Sequence, residues 1–200
     1  MRIIGGQLKG RAILPPPGAS ITRPITGLVK KSLFGMLGED LAGYVVLDLY
    51  CGAGTLGLEA LSRGASRCWF AECDGSVVRQ LKRNIDELKV ADRSAVWVGD
   101  VAARLANWLG DVPQKIDLAF VDPPYEQARQ WDWPSVTRTI FAPLAGRLAE
   151  DGVVTLRAPA DLAVPDELGG LQVVRRRAYG DMGLWLLRLP EQPPVAGIVD

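Results

Sequence analysis

Four consecutive residues, Asp122-Pro123-Pro124-Tyr125, bring together a carboxylate, a proline carbonyl and an aromatic ring. That set suits one kind of chemistry. An exocyclic amine on a nucleobase is a poor nucleophile because its lone pair is delocalised into the ring, so it must be held with the lone pair aimed at an electrophilic carbon. The Asp122 carboxylate and the Pro123 carbonyl can accept the amine's two hydrogens, while the prolines fix the backbone and remove competing N–H donors. The Tyr125 ring can stack on the base for about 1–3 kcal/mol. Because the nitrogen becomes acidic once alkylated, no strong general base is needed, and rate comes from alignment in a site with little water. The chain has no histidine, which is no obstacle to this chemistry but excludes Ser-His-Asp and Cys-His machinery and histidine-ligated zinc. Taken alone, the tetrapeptide would also serve as a rigid turn.

A second constellation lies upstream. The run Tyr44 to Tyr50 leads into Cys51-Gly52-Ala53-Gly54-Thr55-Leu56-Gly57, a G-x-G-x-x-G pattern, and Glu72 follows twenty residues after Gly52. By spacing alone this is a dinucleotide fingerprint, with glycines around a helix N-terminus and an acid for ribose hydroxyls. Asp48 separates two ligands. A carboxylate just before the glycines would repel a pyrophosphate, whereas S-adenosylmethionine has no phosphate and carries an ammonium and a sulfonium that an acid helps to bind. Glu72 accepts from ribose in either case. Asp100, in Val98-Gly99-Asp100, is spaced to accept from the adenine amine, and equally to cap a helix starting at 101. A covalent role for Cys51 is disfavoured, since no base is at hand to activate the thiol.

These groups need a scaffold that gathers strand ends. Short runs rich in Val, Ile, Leu, Trp and Phe predict strands at 44–49, 67–72, 94–98, 116–121 and 152–157. Helices are expected between them at about 55–63, 75–89, 101–109 and 134–149, with Val77, Leu81, Ile85 and Leu88 on one face of the second. Such alternation implies βαβ units and a parallel sheet covered on both faces. Two more strands, about 171–178 and 182–189, follow without an intervening helix and should be antiparallel. Upstream, residues 2–14 read as a glycine-turned hairpin. A helix follows Arg23-Pro24, with Val29, Leu33, Met36 and Leu37 on one face, Lys30 and Lys31 pointing elsewhere, and Gly38 as its stop. The expected organisation is a basic hairpin and helix over 1–38, a catalytic domain over 39–189 and a loose tail over 190–200.

Lys+Arg and Asp+Glu number 23 each among 200 residues, and 48% of residues are apolar, as in a globular protein. The neutral sum hides a segregation: the first 38 residues hold Arg2, Lys9, Arg11, Arg23, Lys30 and Lys31 and no acid. Arg2, Lys9, Arg11 and Arg23 are therefore expected RNA contacts. Arg175, Arg176 and Arg177 could bind phosphate or simply be solvated, and Trp131 and Trp133 could line the substrate mouth or pack. Cys51, Cys68 and Cys73 are odd in number and lack paired spacing, which disfavours disulfides and thiolate metal sites and points to a reducing, cytoplasmic home. Neither a signal peptide nor a membrane span is read, and no metal is expected.

The run from Val46 through Gly57 to Ala65, together with Asp122-Pro123-Pro124-Tyr125, resembles the bacterial small-subunit ribosomal RNA guanine-N2 methyltransferases of the RsmD type. Arg2-Ile3-Ile4-Gly5-Gly6, Lys9-Gly10-Arg11, Thr22-Arg23-Pro24 and Tyr179-Gly180-Asp181 extend the likeness over residues 1 to about 189. The resemblance implies a class I methyltransferase, Rossmann-like α/β fold with a seven-stranded sheet whose last strand is antiparallel, plus the small N-terminal extension as a basic flap near the RNA. It implies methylation of a guanine exocyclic amine in 16S rRNA with S-adenosylmethionine. A monomer is expected, with the rRNA, naked or within a small-subunit assembly particle, as its partner. The family's cofactor roles fall on Asp48, Gly52, Gly54, Glu72 and Asp100, and its target-base roles on Asp122, Pro123 and Tyr125. The chain departs from the family pattern in three places: Gly27 replaces a usual Asp, Met182 a common Thr, and Arg157-Ala158-Pro159 stands where an acid and a histidine are usual. The rival readings are a DNA adenine-N6 methyltransferase, disfavoured by the lack of a target-recognition domain, an inactive RNA-binding or assembly module, and an NAD-binding oxidoreductase.

Overall fold

The computed structural model describes residues 1–15 and 26–190. Arg23, the segment Thr22-Arg23-Pro24 and all but the first residue of the expected tail lie outside the described residues. Helix α1 (Gly27–Leu37) precedes an alternation of β1 (Val45–Leu49), α2 (Thr55–Ser62), β2 (Arg67–Glu72), α3 (Gly75–Leu88), β3 (Ser94–Val98), α4 (Val101–Trp108) and β4 (Ile116–Val121). After β4 come α5 (Tyr125–Arg129), α6 (Trp133–Val136), a π turn at Thr137–Phe141 and α7 (Ala142–Arg147). The chain then closes with β5 (Leu148–Pro159), β6 (Glu167–Leu168), β7 (Leu171–Tyr179) and β8 (Met182–Arg188).

The strands form one sheet in the order β3-β2-β1-β4-β5-β8-β7-β6. Pairs among β1 to β5 are parallel, and β8 runs antiparallel between β5 and β7. All seven expected strands are present. The eighth, β6, pairs only Glu167 with Gln172 and Leu168 with Leu171, too short a run to carry a strand pattern in sequence.

Every residue of β1 is buried, because a central parallel strand is covered on both faces. On one face Leu33, Phe34, Leu58, Leu61, Phe70, Leu81 and Phe120 pack with Ile3 and Ile13 of the N-terminal segment. On the other, Leu47, Leu49, Trp69, Val121, Phe141 and Leu144 pack together. Phe34 meets Phe120 with ring centroids 5.9 Å apart, so α1 lies on the sheet itself, and each such ring contributes roughly 1.5–3 kcal/mol by burial.

Helix α1 begins at Thr26, whose hydroxyl accepts the Val29 N–H, and ends at Gly38, whose φ of 100° an L side chain rarely adopts. The expectation that Lys30 points away from the core is overturned. Its side chain is 3% exposed and pairs with Glu59 at 2.8 Å. In α3 the buried residue of the first turn is Val78, with Val77 only half-buried. The two arms of the expected hairpin pair antiparallel through the Arg2–Ala12 bridge, with the Ile3 N–H on the Arg11 carbonyl, the Gly10 N–H on Ile3 and the Ile13 N–H on Met1, while the turn between them leans on α2: Glu59 accepts the Gly5 N–H, and Ser62 lies against Gly6 and accepts the Leu8 N–H. No helix among the described residues is long and apolar enough to cross a membrane.

Candidate active site at the switch point of the sheet

β1 has β2 on one side and β4 on the other. The chain reverses its direction of travel across the sheet there, and in open α/β sheets that reversal opens a crevice at the carboxyl ends of the strands. The glycine loop leaves β1 at this point and Asp122-Pro123-Pro124-Tyr125 leaves β4. The two are joined directly, since the Asp122 N–H donates to the Leu49 carbonyl at 3.2 Å.

The glycines act differently. Gly54, at φ 83°, is the N-cap of α2. A Cβ on Gly57 would come within 2.3 Å of the Phe70 ring and 2.6 Å of Cys68 Sγ, so this position lets α2 lie on β2. Above Gly52 a Cβ would meet nothing within 4 Å, leaving its backbone open to a ligand. Tyr50, just before the loop, adopts φ 60°, a conformation costly for a non-glycine residue and characteristic of functional sites. Its hydroxyl is buried with no hydrogen-bond partner among the described residues. Burial, reinforced by Asp100 and Cys73, raises its pKa.

Asp48 lies beneath this loop, 1% exposed, with Oδ2 accepting the Gly57 N–H at 2.8 Å. Burial raises its carboxyl pKa well above the usual range; the Gly57 bond opposes this, Asp122 and Glu72 add to it, and Arg157 opposes it. Glu72 ends β2 with Oε2 on the Gly52 N–H at 3.0 Å and Oε1 on the Cys73 and Asp74 N–H groups, so backbone donors hold it against the loop. Asp100 caps α4 by accepting the Ala103 N–H at 2.8 Å and remains exposed. Burial, with Asp48 and Glu72 nearby, pushes the Cys51 thiol pKa up, which keeps it protonated and a poor nucleophile.

On the acceptor side Asp122 is half-buried, Pro123 buried and Tyr125 half-buried at the start of α5. One residue beyond the Val121–Leu156 pair of β4 and β5, Arg157 forks onto Asp122, with Nε 2.5 Å from Oδ1 and Nη2 2.9 Å from Oδ2. The guanidinium carbon is 5.8 Å from the Tyr125 ring centroid. Burial lowers the Arg157 pKa, but Asp122 together with Tyr125 and Asp48 outweighs it and the net shift is upward. Sequence reasoning registered Arg157 only as a departure; its one signal was a basic residue at the end of a buried strand. Further along β5, Pro159 pairs with Met182, which lines a cavity of about 630 Å³ with Thr26, Leu28, Val29 and Tyr179.

The expected RNA contacts stand apart from this crevice in their bonding. Arg2 donates to the Gly10 carbonyl and Arg11 to the Glu87 carbonyl, while Lys9 is exposed. Trp131 and Trp133 contact each other edge to face, and Trp131 also packs on Phe141. Arg176 pairs with Asp166, and Arg175 and Arg177 are exposed.

The family model described as conserved hypothetical protein 95 matches residues 1–188. The ribosomal RNA small subunit methyltransferase D of Escherichia coli (strain K12) is 36% identical over 192 residues, 96% of this chain and 91% of that protein. A Bacillus subtilis (strain 168) protein named as a candidate rRNA methyltransferase is 33% identical over 184 residues, 92% of this chain and 96% of the relative. A solved Escherichia coli chain, itself a candidate methyltransferase, superposes with a TM-score of 0.76 at 28% identity, covering 94% of this chain and 98% of that one. With its sheet order, its glycine loop and these likenesses, the chain belongs to the RsmD family of class I methyltransferases.

Proposed function

We propose that this protein methylates the exocyclic N2 amine of a guanine in 16S rRNA, with S-adenosylmethionine as methyl donor. The observation that carries the reading is the junction of Asp122 and Leu49, which sets the amine-holding tetrapeptide against the strand that feeds the glycine loop. The likeness to relatives named as small-subunit rRNA methyltransferases supports the substrate class.

The residues present fit this cofactor. The backbone at Gly52 is open, Glu72 Oε2 accepts one backbone N–H and retains capacity for a ribose hydroxyl, and the buried Tyr50 hydroxyl has a bond to make. Asp48, Gly52, Gly54, Glu72 and Asp100 would hold it. When bound, S-adenosylmethionine supplies an electrophilic methyl group on a sulfonium. Asp122 and the Pro123 carbonyl accept the amine's hydrogens, Tyr125 stacks on the base, and Asp122 is the group positioned to take the proton released on alkylation. Alignment supplies most of the rate.

Residues 1–38 would meet the RNA through Arg2, Lys9, Arg11 and Arg23, leaving 39–189 as the catalytic domain. A substrate within a small-subunit assembly particle implies a cytoplasmic enzyme. Methyl transfer from labelled S-adenosylmethionine to undermodified small ribosomal subunits, followed by nucleoside mass spectrometry and site mapping, tests the proposal. N2-methylguanosine is the expected product, lost in Asp122→Ala with binding of S-adenosylhomocysteine retained. Label in another nucleoside, or full turnover by Asp122→Ala, would overturn it.

A further inference from the structure

We propose that Arg157 is the positioning residue of the acceptor site: its guanidinium forks onto Asp122 and fixes the carboxylate in the orientation that receives the target amine. The inference rests on the reading of Asp122 as the amine-holding group and goes beyond it by naming what aims that group.

The arrangement follows from strand register. β4 and β5 pair up to Val121 and Leu156, so the next residues of each, Asp122 and Arg157, fall side by side at the carboxyl ends of parallel strands. Their side chains are 14% and 12% exposed, and the two contacts form a fork onto both carboxylate oxygens. A fork of this kind has one geometry, unlike the single charge of a lysine. It engages one acceptor position on each oxygen and leaves each oxygen another. The guanidinium carbon is also 5.8 Å from the Tyr125 ring centroid, so the side chain that holds the carboxylate also borders the ring expected to stack on the base.

The charges around the pair give the fork a second effect. Asp48 on β1 interacts with Asp122 and with Glu72 on β2 as like charges, and Arg157 interacts with Asp122, Tyr125 and Asp48. The fork thus aims Asp122 and sets a positive charge among these acids.

Steady-state methylation of undermodified small ribosomal subunits with labelled S-adenosylmethionine tests this with Arg157→Gln, Arg157→Lys and Asp122→Asn. Arg157→Gln is expected to lower kcat by about 100-fold, the scale of a misaligned reactant, with S-adenosylhomocysteine affinity unchanged. Arg157→Lys keeps the charge without the fork, so it should recover only part of kcat. In the Asp122→Asn background Arg157→Gln should add little, because the two residues act as a unit. Wild-type kcat in Arg157→Gln, while Asp122→Asn is inactive, overturns the role of Arg157 and leaves that of Asp122 standing. Full turnover by Asp122→Asn overturns both. If Arg157→Gln fails to bind S-adenosylhomocysteine, Arg157→Lys decides: partial loss of kcat at unchanged affinity supports the role, and wild-type kcat ends it.

Discussion

Lys30 of α1 reaches Glu59 of α2 at 2.8 Å, and neither side chain has more than 3% of its surface exposed. The same carboxylate accepts the Ile4 and Gly5 N–H groups at 2.9 and 2.7 Å and Arg63 Nε at 3.1 Å. Lys30 also donates to the Arg2 carbonyl at 2.7 Å. One buried acid thus fastens the N-terminal segment, α1 and α2 together, and its desolvation is offset by a full set of donors.

Removing that acid should be far worse than removing an exposed one. Glu59→Ala leaves Lys30 and Arg63 buried without their partner, and the expected loss is about 3–5 kcal/mol of folding stability. Urea denaturation at neutral pH measures it. A loss no larger than that of an exposed salt bridge would show that water reaches Lys30 and Arg63.

Asp48 makes stability depend on pH with a definite sign. Burial raises its carboxyl pKa in the folded protein, so the folded state holds the proton more tightly than the unfolded chain. Its contribution is greatest below the unfolded value and is lost as pH climbs from that value through the raised folded one. Asp48→Asn keeps an acceptor for the Gly57 N–H and removes the charge. It should make the ligand-free protein more stable at neutral pH, with a flatter pH dependence, while weakening S-adenosylmethionine binding more than S-adenosylhomocysteine binding, since only the former carries a sulfonium. Thermal unfolding across pH and calorimetry with both ligands check this; equal weakening of both would separate Asp48 from the sulfonium.

Much of this organisation was readable from pattern. Runs such as Val45 to Leu49 and Ile116 to Val121 are continuous and apolar because both faces of their strands are covered, and the glycine spacing marked where a strand gives way to a helix. What escaped depends on contacts between distant elements. Lys30 reads as a surface residue because nothing local shows that Glu59 will lie opposite. Arg157 meets Asp122 only through the register of two strands separated by a long helical crossover. Helix α5 begins directly after two prolines, which suggest a turn, and the two residues of β6 acquire their pairing only from Leu171 and Gln172.

Tyr50 offers a test on the cofactor side that needs no RNA. Its buried hydroxyl bonds nothing among the described residues, so Tyr50→Phe should leave the ligand-free protein at least as stable as wild type. If the hydroxyl bonds the cofactor, affinity for S-adenosylhomocysteine should fall by roughly 2- to 12-fold, the equivalent of one hydrogen bond of about 0.5–1.5 kcal/mol. Unchanged affinity by calorimetry would assign the strained φ to loop geometry alone.

The N-terminal cations differ in how far they are committed to the chain's own backbone. Arg2 and Arg11 already donate to carbonyls of Gly10 and Glu87, and a phosphate would have to share them or displace those bonds. The Lys9 side chain is exposed and makes no hydrogen bond or ion pair among the described residues, so pairing with a phosphate costs it nothing already formed. For each phosphate that the protein no longer neutralises, the steepness of log K against log salt should fall by about 0.7–0.9. Lys9→Gln is therefore expected to flatten the salt dependence of binding to undermodified small ribosomal subunits by that amount, and Arg11→Gln by less. An unaltered slope in Lys9→Gln, with the fold intact by circular dichroism, would move the RNA interface away from the N-terminal segment.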